Sequence, residues 1–200
     1  MARPRGFDEA AVLRTIRDRF WSAGYAATSM DELMAATGLG KGSLYGAFGD
    51  KHDLYLRVFD EYARRAIRLA RRDLEGSDDA GAYDRLRSHV GANVTAAADD
   101  TAHRGCLLAN GIAELGRTEP AIVARAKETF QVIEGLLAEC VAGAQRHGDL
   151  DAGADAHQLA GVLLAVLQGI EALAKAGSDH QSLQRIADGA LASLPRTVRS

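Results

Sequence analysis

Lys41, Ser43 and Tyr45 fall on one short stretch, and Lys51 and His52 follow closely. Two ammonium groups, a hydroxyl, a phenol and an imidazole are side chains that hold phosphate oxygens and reach base edges. Other chemistries lack their residue patterns. The six histidines (52, 89, 103, 147, 157 and 180) show no metal-ligand spacing. No glycine-rich phosphate loop, nucleophile elbow or HExxH run occurs. Cys106 and Cys140 make neither a disulfide framework nor a metal motif. His103 lies near Cys106, yet no Asn or Asp is placed to complete a thiol–imidazole catalytic set. No catalytic residue, metal ligand or cofactor site is therefore assigned.

The elements that must position the Lys41–Tyr45 stretch are legible. Ser29 followed by Glu32 forms a capping box, so a helix starts at about Met30. Leu33 and Ala36 share one of its faces, and Gly38 stops it by accepting a left-handed C-terminal cap. A second short helix is predicted from about Lys41 to Phe48, and Asp50 is placed to cap the next. Two short helices joined by a glycine turn describe a helix-turn-helix. The N-terminal end of the second helix offers free amides and the positive end of the dipole, which suits phosphate contact. A helix from about Asp8, with Leu13, Ile16, Phe20 and Trp21 inward and Gly24 at its end, completes a three-helix head. The preceding arm carries Arg3 and Arg5, which are further candidates for phosphate contact.

This stretch resembles the TetR family of transcriptional regulators. The family pattern is a Thr before the first of the two helices, then Gly-Leu/Val-x-x-Gly-x-Leu-Tyr-x-x-Phe-x-x-Lys-x-x-Leu. Thr28, Gly38, Leu39, Gly42, Leu44, Tyr45, Phe48, Lys51 and Leu54 match it at every spacing. Gly40 stands where the family often has Ser or Thr, and Gly46 and Ala47 replace bulkier or basic residues. The resemblance implies DNA contacts from Thr28, Lys41, Gly42, Ser43, Tyr45, Lys51 and His52. It implies an all-α fold of about nine helices, with a DNA-binding head over 1–50 and a larger ligand-binding and dimerisation domain over 51–200. It also implies a near-palindromic double-stranded operator, an unidentified small-molecule effector and a homodimer.

Composition agrees with that division. The chain has 200 residues, is 47% hydrophobic and 26% charged, and carries a net charge of −3. Residues 1–72 hold 13 basic and 9 acidic side chains, a net +4, whereas the remainder carries −7. A basic front and an acidic rear fit a DNA-reading head on a body that DNA does not attract. The opening MARPRG has no apolar core of a signal peptide. The most apolar stretch, 159–176, contains Gln168 and Glu171 and reads as too polar and short for a membrane span. The expected location is the cytoplasm, with no membrane partner.

The body reads as further helices over about 51–74, 82–98, 104–115, 122–147, 154–176 and 181–194. The 159–174 segment is apolar almost all round, so it must be covered on more than one side. With the family's four-helix dimer bundle in view, Leu159, Leu163, Val166, Leu167 and Ile170 are expected at a subunit interface, joined by Leu183, Ile186 and Leu194 from the last helix. The family's ligand pocket implies candidate polar contacts from Cys106, Asn110, Glu114, Gln131 and Lys175. Cys106 also follows Arg104-Gly105 at a helix start, where cations lower a thiol's pKa. The expected function is that of a repressor released from its operator by the effector; a transcriptional activator, or a regulator responding to oxidants or electrophiles through Cys106, is the alternative reading.

Overall fold

The computed structural model describes residues 7–197; Arg3 and Arg5 lie outside the described residues. Among these, nine α-helices carry the fold: α1 (Glu9–Ala23), α2 (Met30–Thr37), α3 (Lys41–Phe48), α4 (Lys51–Leu74), α5 (Ala82–Asp99), α6 (Leu107–Leu115), α7 (Pro120–His147), α8 (Ala156–Lys175) and α9 (His180–Ala192). The starts follow from local chemistry. Asp8, Ser29, Asp155 and Asp179 each accept amide hydrogens at the heads of α1, α2, α8 and α9. Asp50 accepts from the amides of His52 and Asp53 at the head of α4.

The chain divides into two compact units. The first comprises Met1–Ala63 with Leu107–Ala126, and the second Arg64–Cys106 with Lys127–Ser200. A boundary near residue 50 was expected; the first unit instead takes in part of α4, all of α6 and the start of α7. The reason is packing. Gly111 of α6 sits so close to Phe59 and the Tyr55 hydroxyl that an added Cβ would lie 2.5 Å and 2.9 Å from them. Arg125 pairs with Asp60 at 2.9 Å.

In the first unit, Val12, Ile16 and Phe20 of α1 turn inward with Leu33, Leu44, Phe48, Leu54, Tyr55, Val58 and Phe59. The inward face of α1 thus runs along Val12, Ile16 and Phe20, with Leu13 and Trp21 half-buried. Trp21 packs edge-on against Tyr62 at 5.1 Å.

In the second unit α5, α8 and α9 pack on one another. Leu86, Val90 and Val94 of α5 meet Leu163, Leu167 and Ile170 of α8, Leu183 and Ala187 of α9, and Leu137 and Val141 of α7 in one core. Two expectations change here. By length and composition α8 is apolar enough to cross a membrane, contrary to the sequence reading, but its Ala160, Leu163, Leu167, Ile170 and Ala174 are buried in the body. Of the residues expected at a subunit interface, Leu163, Leu167, Ile170, Leu183 and Leu194 belong to the chain's own core. The outward apolar side chains are Val162, Leu173 and Ile186, and Leu159 and Val166 are half-buried. The physical reason is helical phase. An all-round apolar helix has two faces to cover, and the sequence does not say which face the body takes.

Leu163→Ala should therefore cost about 2–5 kcal/mol of stability in a urea titration. Leu167→Glu should abolish the cooperative thermal transition, since an unpaired charge would enter the core. A folded Leu167→Glu protein with the wild-type melting temperature would contradict this packing.

Candidate nucleic-acid interface

The head presents α3 on a buried footing. Leu44 and Phe48 turn inward and are 0% and 3% exposed, whereas Lys41, Gly42, Ser43, Tyr45 and Gly46 face outward. The capping box of Ser29 and Glu32 fixes the start of α2: the Glu32 side chain accepts from the Ser29 amide at 2.7 Å, and the Ser29 hydroxyl accepts from the Glu32 amide at 3.2 Å. The Ser29 amide, and then the Ser29 hydroxyl donating to the same carboxylate, hold the Glu32 carboxyl below the usual range. Gly38 ends α2 at φ 69°, and its amide bonds to the Met34 carbonyl.

Helix α3 begins at Gly40 without any side-chain cap. The amides of Ser43 and Leu44 are taken by the Gly40 carbonyl. A Cβ placed on Gly40, Gly42 or Gly46 would meet nothing within 4 Å, so packing within the chain does not require small residues there. The Lys41 ammonium lies 5.8 Å from the Tyr45 ring centroid, one helical turn away. At the other end, the Arg57 guanidinium donates to the Ala47 carbonyl at 3.1 Å and lies over the Phe48 ring.

Lys51 is half-buried, with its ammonium 4.3 Å from the Tyr25 ring centroid. His52 faces Glu119, Nε2 to Oε2, at 3.8 Å. Burial, then the charges of Asp50, Glu119 and Glu114, push the Tyr25 phenol up. The structure brings Lys41, Gly42, Ser43 and Tyr45 together as one exposed face of α3. It puts Thr28 elsewhere: Thr28 is 2% exposed, and its hydroxyl donates to the Gly24 carbonyl at 2.7 Å. Thr28 thus closes the turn between α1 and α2.

Of the expected pocket residues, Asn110 and Glu114 belong to the first unit, and Cys106, Gln131 and Lys175 to the second. Glu114, expected to line a pocket in the body, instead accepts from the amides of Tyr25 at 2.8 Å and Ala26 at 2.6 Å. Asn110 is half-buried on α6, and Gln131 is exposed on α7. In the second unit Cys106 is buried just before α6. The Lys175 side chain runs over Gly105, where an added Cβ would lie 3.2 Å from its Cβ and Cδ. Arg104 is taken by Asp100, at 2.9 Å from Nε and 2.8 Å from the terminal nitrogen. Of the two cations expected near the thiol, Arg104 and Lys175, Arg104 is therefore already paired. Sequence reasoning missed Glu171, whose carboxyl is pushed up by burial and then by the charge of Asp100. Its place inside an otherwise apolar helix was the available signal. A separate groove of about 290 Å³ between α5 and α9 is bordered by Asp84, Arg87, Ser88, Gln184 and Asp188, and by none of the expected pocket residues.

Comparison with known proteins agrees with this geometry. Residues 12–58 match the model of bacterial regulatory proteins of the tetR family, and residues 82–190 match that of the tetracyclin repressor-like C-terminal domain. The chain is 27% identical over 197 residues to the HTH-type transcriptional repressor ComR of Escherichia coli strain K12, covering 98% of this chain and 93% of ComR. Among solved structures, a cysteine mutant of the TetR family transcriptional regulator CifR in complex with 26-base-pair operator DNA is 27% identical. It superposes with a TM-score of 0.78 over 96% of this chain and all of that one. A TetR regulator from Chloroflexus aurantiacus has the same fold, with a TM-score of 0.81 at 23% identity over 94% and 96% of the two chains. Both halves of the sequence and the helix-turn-helix at its front thus lead to one conclusion: the chain belongs to the TetR family of DNA-binding transcriptional regulators.

Proposed function

We propose that the chain is a homodimeric repressor that reads a near-palindromic operator through α3 and leaves it when a small-molecule effector binds. Such work on chromosomal DNA puts the protein in the cytoplasm. The observation that carries the reading is the outward face of α3, with Lys41, Gly42, Ser43 and Tyr45 exposed above buried Leu44 and Phe48. Gly42 and Gly46 are small without internal need, which lets a groove wall come close to the helix backbone. The uncapped first turn offers amides and a positive dipole end to a phosphate. Lys41 adds a charge and Tyr45 a ring with a hydroxyl. Lys51 and His52, at the head of α4, are the neighbouring phosphate contacts in this reading. The repressor role follows ComR, a repressor by name, and the operator follows CifR, solved on operator DNA.

The homodimer is supported by the apolar side chains that α8 and α9 leave outward. Val162 is 53% exposed, Leu173 40% and Ile186 37%, large values for apolar side chains. With Leu159 and Val166 these replace the buried leucines as interface candidates. The effector reading keeps Asn110, Gln131 and Lys175 as possible contacts, and Glu114 leaves that set because its carboxylate is committed to two amides.

A second reading, control by electrophiles or oxidants at Cys106, is favoured by one observation. The Lys175 side chain runs over Gly105, the residue before Cys106, and in this reading supplies the cation that Arg104 does not.

Three measurements test these readings. On a DNA fragment enriched from a random pool by the wild-type protein, Lys41→Ala and Tyr45→Ala should each weaken binding by about tenfold. Lys41→Ala should also reduce the slope of log affinity against log salt by about one. Wild-type affinity in a folded Tyr45→Ala protein would remove α3 from the interface. Val162→Glu should give a folded monomer by light scattering, unlike Leu167→Glu; a folded Val162→Glu dimer would move the interface off this face. Mild alkylation should release wild-type protein from DNA and leave Cys106→Ser bound, and equal release from both would reduce Cys106 to a packing residue.

A further inference from the structure

Glu114 is an exposed carboxylate on α6 whose partners are two backbone amides far away in the sequence. It reaches back to residues 88 and 89 positions earlier in the chain. One oxygen accepts from the Tyr25 amide at 2.8 Å and the other from the Ala26 amide at 2.6 Å. Bonds from amides to a carboxylate are charge-assisted and about twice as strong as neutral ones. Two of them from one side chain fix direction as well as distance.

The turn that receives this carboxylate is shaped for it. Gly24 has φ 86°, a region that side-chain-bearing residues rarely adopt. A Cβ there would stand 3.1 Å and 3.2 Å from the two Glu114 oxygens. Gly24 thus lets the backbone turn and lets the carboxylate come close. From the inner side Thr28 closes the same turn on the Gly24 carbonyl. The next residue, Ser29, starts α2.

The clamp reaches the DNA-facing side through one ring. Tyr25, whose amide Glu114 holds, packs edge-on against Tyr55 at 5.1 Å and stacks on Phe20 at 6.1 Å. Its face carries the Lys51 ammonium at 4.3 Å. Moving the Tyr25 backbone moves the surface on which Lys51 rests and the point from which α2 departs.

We propose that Glu114 is a positioning residue for DNA binding: from α6 it clamps the turn between α1 and α2, and through Tyr25 it sets the place of Lys51 and the helix-turn-helix. The proposal rests on the DNA-binding reading and goes beyond it, because Glu114 itself has no part in the contact face. Displacing this one side chain then lowers operator affinity while every residue of α3 stays intact.

The test compares wild type, Glu114→Ala, Glu114→Gln and Glu114→Asp on the DNA fragment that wild type enriches from a random pool. Enrichment by wild type comes first, so a failure of DNA binding as such is recognised before any variant is judged. Glu114→Ala should bind about tenfold more weakly or worse. Glu114→Gln keeps one acceptor oxygen and turns an NH2 toward the other amide, so it should fall between alanine and wild type. Glu114→Asp retains the charge and both oxygens on a shorter arm, and should recover part of the loss. Hydrogen exchange read by NMR supplies the measurement that general destabilisation would not reproduce: the Tyr25 and Ala26 amides should lose protection in Glu114→Ala, while Leu44, Leu54 and Val58 keep theirs. Unchanged affinity in Glu114→Ala overturns the proposal. So does weakened binding accompanied by lost protection throughout the first unit, which would make Glu114 a stability residue only.

Discussion

The head depends on one aromatic cluster. Phe20 of α1, Tyr25 of the following turn, and Tyr55 and Phe59 of α4 meet with ring centroids 5.1–6.1 Å apart. Tyr55 is 2% exposed, and burial pushes its phenol well above the ordinary value. An offset or edge-on aromatic pair is worth about 0.5–1.5 kcal/mol beyond the area it buries. The larger effect is geometric, because these rings bring three separate chain segments to one point. Gly111 adds α6 as a fourth, admitted only because it has no side chain. With that footing fixed, Leu44 and Phe48 can bury one side of α3, and the opposite side of so short a helix must face out.

The outward face of α3 was legible from sequence because its determinants are local. Ser29 and Glu32 cap each other within one turn, Gly38 takes a left-handed conformation, and Leu44 and Phe48 are four residues apart. Each of these is decided by near neighbours. Thr28 was misplaced for the complementary reason. The motif locates it beside the helix-turn-helix, but whether its hydroxyl points to a partner or to the Gly24 carbonyl depends on how the chain folds back at Gly24.

The body shows what periodicity leaves open. Leu163, Leu167 and Ile170 were correctly read as buried, but the burial is within the chain's own core. An apolar side chain has no preference between its own core and a second copy. Only the packing of α5 and α9 against α8 decides between them, and that packing is non-local. Val162 shows the consequence: it sits one residue before the buried Leu163 and is 53% exposed. A rotation of one residue, about 100° around a helix, separates stability from association.

Glu114 shows the same limit on the polar side, and there it bears on function. Its spacing from Asn110 fixes which residues share its helical face but says nothing about what that face meets. The answer lies 88 residues away, in a pair of amides that no side-chain pattern encodes. Gly24 did carry the signal in part. It was read as the end of α1, and it is, with its amide bonded to the Phe20 carbonyl. A helix can also end on residues other than glycine. What glycine adds here is room for two carboxylate oxygens at the outer surface of the turn. The physical requirement is therefore stronger than a helix stop: the position must be small, left-handed and open to an acid arriving from elsewhere in the chain.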